Sequence, residues 1–199
     1  MRAHDVEAVT DEMVRTLHGH GDLDWSVPAG DLTWSCRDTA IHVADDLLVY
    51  AAQLAGEAET AYLSFDVAVP GDAGPDDILR IVDAGGALLA SAVRTAHPGA
   101  RGWHPDGVAD PGGFAAMGVV EVLLHTHDIA RGLGVEWSMP DDTCRAVLTR
   151  LFPDIPAGPA LGSCRTGDAA ATLLWATGRG HLEGHEPVRG WRWDSSVRS

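Results

Sequence analysis

The run FAAMGVVEVLLHTHDIARGL, residues 114–133, is apolar on almost every side through its first half, and Gly134 follows it. A helix that is apolar all round belongs inside a ring of other helices, and a glycine just past its end is the usual stop. Two polar groups break the apolar run at its centre, Glu121 and His125. A carboxylate left without a partner in such surroundings is costly to bury. Helix geometry offers the partner, since residues four apart lie about 40° from each other on one face, and Asp128 falls within about 20° of Glu121. His127 lies roughly 120° round the helix and cannot easily join them, so His125 is the inward-facing histidine.

A Glu and a His one turn apart can both reach one metal ion, and a third ligand has to come from another helix. His42 is the best-placed candidate. It lies in the middle of a second helix that starts at Ser35, where Ser35 and Asp38 resemble a capping box with Asp in place of Glu. The helix runs to about Ala55 and stops at Gly56, with an apolar stripe of Ile41, Ala44, Leu48, Ala51 and Ala55. Asp38, Asp45 and Asp46 lie within about a turn of His42. Together with Asp128 they are candidates to orient its second ring nitrogen or to line the cavity. The bland alternatives are a chance E-x-x-x-H spacing and a solvated acidic face. A His₂Glu set leaves one coordination position open, as in catalytic zinc sites, but also describes non-haem iron, so the ligands alone do not choose between zinc, iron and nickel.

Outward from this pair, Val6, Val9, Met13 and Leu17 mark a first helix ended by Gly19 and Gly21. Tyr62 to Val69 alternates like a strand without a partner and is read as an extended crossover. A third helix follows Pro75, with Asp76 and Asp77 in its first turn and Gly85-Gly86 in its middle, as a kink or a close packing contact. Pro98 to Gly113 reads as a turn-rich loop. Two shorter helices are expected at about 141–152 and 168–178, then a tail with Trp191 and Trp193. The expected fold is all-α: a four-helix bundle over residues 1–135 with a long crossover, and a short helical extension over 136–199 packed on it.

The chain has 199 residues with 29 acidic and 14 basic side chains, a formal net charge of −15. All the basic residues are arginine, and lysine and asparagine are absent, which fits a GC-rich coding sequence such as an actinobacterial one. The negative charge argues against nucleic-acid binding, and no apolar run is long enough for a membrane span. Cys36, Cys144 and Cys164 form no CxxC pair, and the N-terminus shows no signal core, so a reducing cytoplasm is the expected location. Cys36 is read as a packed small residue rather than a reactive thiol. Without lysine, Schiff-base chemistry is confined to the N-terminal amine.

The segment from Pro28 to Leu48, with Trp34-Ser35, Asp38 and His42, resembles the second helix of DinB-like proteins. The nearest likeness is to the N-terminal domains of mycothiol-dependent maleylpyruvate isomerases. His104-Pro105, then Gly113 to Met117, then Glu121 to Asp128 resemble the matching fourth-helix region. The resemblance implies a four-helix bundle with a divalent metal, usually zinc, held by His42, Glu121 and His125. It also implies a low-molecular-weight thiol such as mycothiol as cosubstrate, activated by the metal to attack a small electrophile in an isomerase or S-transferase reaction. Arg131, Arg179 and Arg192 are candidates to hold an anionic substrate group, Arg131 foremost. Two other readings are a non-catalytic bundle that binds metal or a small ligand, and a hydrolase using metal-bound water.

Overall fold

A computed structural model describes residues 1–155 and 168–197. Among these residues the chain forms six helices and no strands: α1 (Ala3–Leu17), α2 (Cys36–Ala55), α3 (Pro75–Thr95), α4 (Pro111–Leu133), α5 (Asp141–Leu151) and α6 (Asp168–Ala176). The fold is the expected all-α bundle with a helical extension. α1 and α2 each pack against both α3 and α4 and therefore stand at opposite corners. The diagonal step is made by the 18–35 loop. The Tyr62–Val69 segment, expected as an extended crossover, carries no strand and joins α2 to its neighbour α3. No helix among the described residues is long and apolar enough to cross a membrane.

The helix ends follow local chemistry. Ser35 caps α2 by accepting the Asp38 amide at 3.0 Å, one half of the expected capping box; the Asp38 carboxylate takes the Ser35 hydroxyl and not its backbone amide. α4 begins three residues before the expected Phe114. Pro111 takes its first position, and Asp110 accepts the Gly113 amide at 2.6 Å, so an N-cap and N1-proline signal lay inside a stretch read as loop. At its other end Gly134 adopts φ +69, the left-handed C-cap. From Gly113 to Ala130 α4 is buried almost without interruption, which its sequence demands.

The Gly85-Gly86 pair is a packing contact and not a break, since α3 runs through it. A Cβ on Gly85 would stand 3.0 Å from the Leu47 Cβ of α2, and one on Gly86 would stand 2.5 Å from the Thr10 hydroxyl of α1. The two glycines let α3 sit close to both of its neighbours.

The extension packs along α4, from Arg150 at its start to Arg179 near its end. Its apolar residues Cys144, Val147, Leu148, Leu151, Leu173 and Trp193 share one continuous core with those of α1 to α4. The tail returns past α5 to the 98–110 loop: the Asp194 amide donates to Leu151 O at 2.8 Å, and the Ser195 hydroxyl to Gly107 O at 2.7 Å. Arg150 ties Asp110 and Ser195 O together, each at 3.1 Å.

Gly86→Ala tests the close approach. Helix propensity alone favours the change by roughly 1 kcal/mol. Thr10, however, is buried, β-branched and tied by its hydroxyl to Val6 O at 2.9 Å, so it has little room to yield. The expected net result is a loss of about 1–3 kcal/mol, read as a lower Tm in thermal unfolding. Gly71→Ala, where a Cβ meets nothing within 4 Å, leaves Tm unchanged. A Gly86→Ala protein at least as stable as the parent contradicts the packing account.

Candidate metal centre

The site forms where the start of α2 and the second half of α4 come together. Gly132 makes this approach possible: a Cβ there would lie 2.7 Å from Cys36 Sγ and 3.1 Å from Ala29 Cα. Cys36 is buried in this contact, as its reading as a packed small residue expects, and burial pushes its thiol up to about 11. The preceding loop lays Leu32, Thr33 and Trp34 over the site, with the Trp34 ring edge-on to His42 at 4.8 Å between centroids.

His42, Glu121 and His125 are brought together, each offering one ligand atom within 4.8 Å of the others. Glu121 Oε2 lies 3.1 Å from His125 Nε2 and 3.8 Å from His42 Nε2. The two imidazole rings meet edge to face, 5.1 Å between centroids. Burial pushes the Glu121 carboxyl up, but the His125 hydrogen bond and the nearby His125, His42 and Arg179 outweigh it and hold it below its usual range. Burial dominates at His42 and lowers it. His125 is also lowered by burial, but its hydrogen bonds to Asp128 and Glu121 carry it above the ordinary value.

The acidic candidates divide. Asp128 meets His125 Nδ1 at 3.1 Å, on the side of the ring away from Glu121. It is itself held by Arg179, whose Nε reaches both of its carboxylate oxygens, at 3.1 and 3.0 Å, and whose Nη2 reaches Oδ2 at 3.0 Å. Asp46 Oδ2 lies 3.2 Å from His42 Nε2 and, among the described residues, is buried without a hydrogen-bond partner. Burial, then Glu121 and Asp45, push the Asp46 carboxyl well above its usual range. Asp45 lines a separate cavity of about 420 Å³ with Asp46, Tyr62 and Asp66. Asp38 stands apart at the exposed start of α2, hydrogen-bonded to the Ser35 hydroxyl at 2.7 Å.

The arginines also divide. Arg131 points to solvent and pairs with Asp31 at 2.9 Å, away from the cluster. Arg192 is exposed beside Asp106. Arg179 alone of the three lines the cavity of about 240 Å³ that opens over the cluster, with Leu32, Thr33, Trp34, Leu124 and Trp191 completing its wall. The sequence offers no register linking residue 179 to α4, so its place against Asp128 was beyond spacing arguments.

The donor set fits a divalent metal. Ligand bonds of about 2.0–2.1 Å in a tetrahedron place neighbouring donor atoms about 3.3 Å apart, and the separations here bracket that value. Asp128 on the far nitrogen of His125 is the arrangement by which outer carboxylates fix the tautomer of a metal-binding histidine. Charge supports the same reading. With His125 neutral, as a metal ligand must be, Glu121 and Asp128 against Arg179 leave one negative charge uncompensated in a buried setting, which a cation offsets.

Arg179→Ala leaves Asp128 buried without its guanidinium. The expected cost is about 3–5 kcal/mol in chemical denaturation, and most of it is recovered when Asp128→Asn is added, because the double variant no longer buries the charge. Additive losses in the two variants contradict the coupling.

A model of the mycothiol maleylpyruvate isomerase N-terminal domain matches residues 6–130, from within α1 to near the end of α4. No curated protein and no solved structure shows significant similarity to the chain. The matched segment carries all three residues of the cluster and well over half of the chain, which belongs to the mycothiol maleylpyruvate isomerase N-terminal domain family.

Proposed function

We propose that this protein is a metal-dependent, thiol-using enzyme. His42, Glu121 and His125 hold one divalent ion, zinc, and mycothiol is the thiol delivered to a small electrophile in an isomerase or S-transferase reaction. The observation that carries the reading is the meeting of these three donors at the wall of a cavity, in a chain of a mycothiol-associated family. When bound, such an ion acts as a Lewis acid, and a thiol coordinated to it loses its proton at neutral pH.

The protein's own groups supply the rest. Asp128 holds the proton of His125 on Nδ1 and leaves Nε2 free to donate its lone pair toward the centre. Arg179 fixes Asp128 with three short contacts and keeps its oxygens from swinging away. Leu32, Leu124 and Trp191 give the cavity apolar walls that exclude water and strengthen every charge interaction inside it. Trp34, at the exposed mouth, offers a flat face to an unsaturated substrate. Because Arg179 and Trp191 lie beyond residue 135, we assign to residues 136–199 the role of an extension that completes the cavity.

Metal analysis of the purified protein is expected to give one divalent ion per chain, with the ion lost in His125→Ala. Conversion of conjugate acceptors is expected to require mycothiol and to vanish in His42→Ala. Full metal content in His125→Ala removes His125 from the ligand set. Turnover of ester substrates without thiol replaces the thiol reading with hydrolysis.

A further inference from the structure

We propose that Asp46 is a fourth protein ligand of the metal, its Oδ2 joining Glu121 Oε2 and the Nε2 atoms of His42 and His125. The inference rests on the reading of that trio as a metal centre.

The argument is a contrast between two carboxylates. One that merely orients a liganding histidine binds the ring nitrogen turned away from the ion. Asp128 does this: it meets His125 at Nδ1, while Nε2 of that ring faces Glu121. Asp46 does the opposite. It approaches His42 at Nε2, at 3.2 Å, the same atom that Glu121 approaches at 3.8 Å. Two carboxylate oxygens thus converge on one ring nitrogen, which has at most one proton to offer.

The environment of Asp46 sharpens the point. Its Oδ2 is buried and accepts no hydrogen bond among the described residues. A buried acceptor without a partner is expensive, and a carboxylate oxygen more so. The nearest basic group is His42 itself, and Arg179 is already spent on Asp128. The other three donors lie within 4.8 Å of one another, and Asp46 stands just outside that set, against His42. A side-chain shift that brings Oδ2 onto a cation held by the trio satisfies it and separates it from Glu121. Two carboxylates and two neutral imidazoles also balance a divalent charge, which three donors with one carboxylate do not. Zinc can expand to five-coordinate, so a thiol keeps a position beside four protein donors.

Cobalt(II) serves as the probe, with affinity measured by chelator competition and coordination read from the visible absorption spectrum of the loaded protein. Asp46→Asn is expected to bind cobalt about 100-fold more weakly than the parent, at or beyond the upper end of what loss of an outer-shell partner costs. Its cobalt spectrum is expected to change as one donor is replaced. Asp45→Asn removes the same charge one position away and is expected to keep both affinity and spectrum. A loss below tenfold in Asp46→Asn, an unaltered spectrum, or an equal loss in Asp45→Asn overturns the proposal. If the amide disturbs folding, seen as a lost helical signal in circular dichroism, Asp46→Ser is held to the same criteria. A parent protein that takes up no cobalt overturns the metal centre and this proposal together. A parent that binds cobalt beside an unaffected Asp46→Asn overturns this proposal alone.

Discussion

The constraint on which the structure turns is the carboxylate of Glu121, set in the most extensively buried helix among the described residues. α4 is surrounded, so Glu121 has no route to solvent except through the cavity beside it. Its charge has to be met by groups that other elements bring: His125 one turn on, His42 from α2, and Arg179 further out. Each of these groups is polar and buried or half-buried, and needs partners of its own. The chain Glu121, His125, Asp128, Arg179 therefore runs from the bundle interior to the C-terminal segment with each link occupied.

The bundle that holds this chain is closely packed. Gly132 lets α2 start against the end of α4, and Gly85-Gly86 lets α3 lie against both α1 and α2. Small residues at these crossings bring helix axes together without trimming the large side chains elsewhere in the core. The result is a rigid frame, in which the distance between His42 and Glu121 is set by helix packing and not by a loop. A site built on packed helices holds its ligands more tightly than one built on connecting segments.

Much of this was legible in the sequence because it rests on helical periodicity. Glu121, His125 and Asp128 share a face by spacing alone, and the Ser35 cap fixed where α2 begins and so which residues lie mid-helix around His42. What remained hidden depends on contacts without a register. Arg179 meets Asp128 across 51 positions, and nothing in the local pattern marks it above Arg131, which turned to solvent and Asp31. Asp46 was visible one turn from His42, but which ring nitrogen it faces is a matter of rotamer and crossing geometry. The start of α4 was misjudged for a different reason: Asp110-Pro111 signals a helix, and the two glycines behind it spoke for a loop.

The Asp128–Arg179 contact also has a bearing on synthesis. Asp128 leaves the ribosome well before Arg179, and between them come α5 and α6. A nascent chain carrying only the bundle lacks the guanidinium that meets Asp128 and the Trp191 wall of the cavity. A segment made after the bundle supplies the counter-charge, so the site is completed only once residues beyond α6 have emerged.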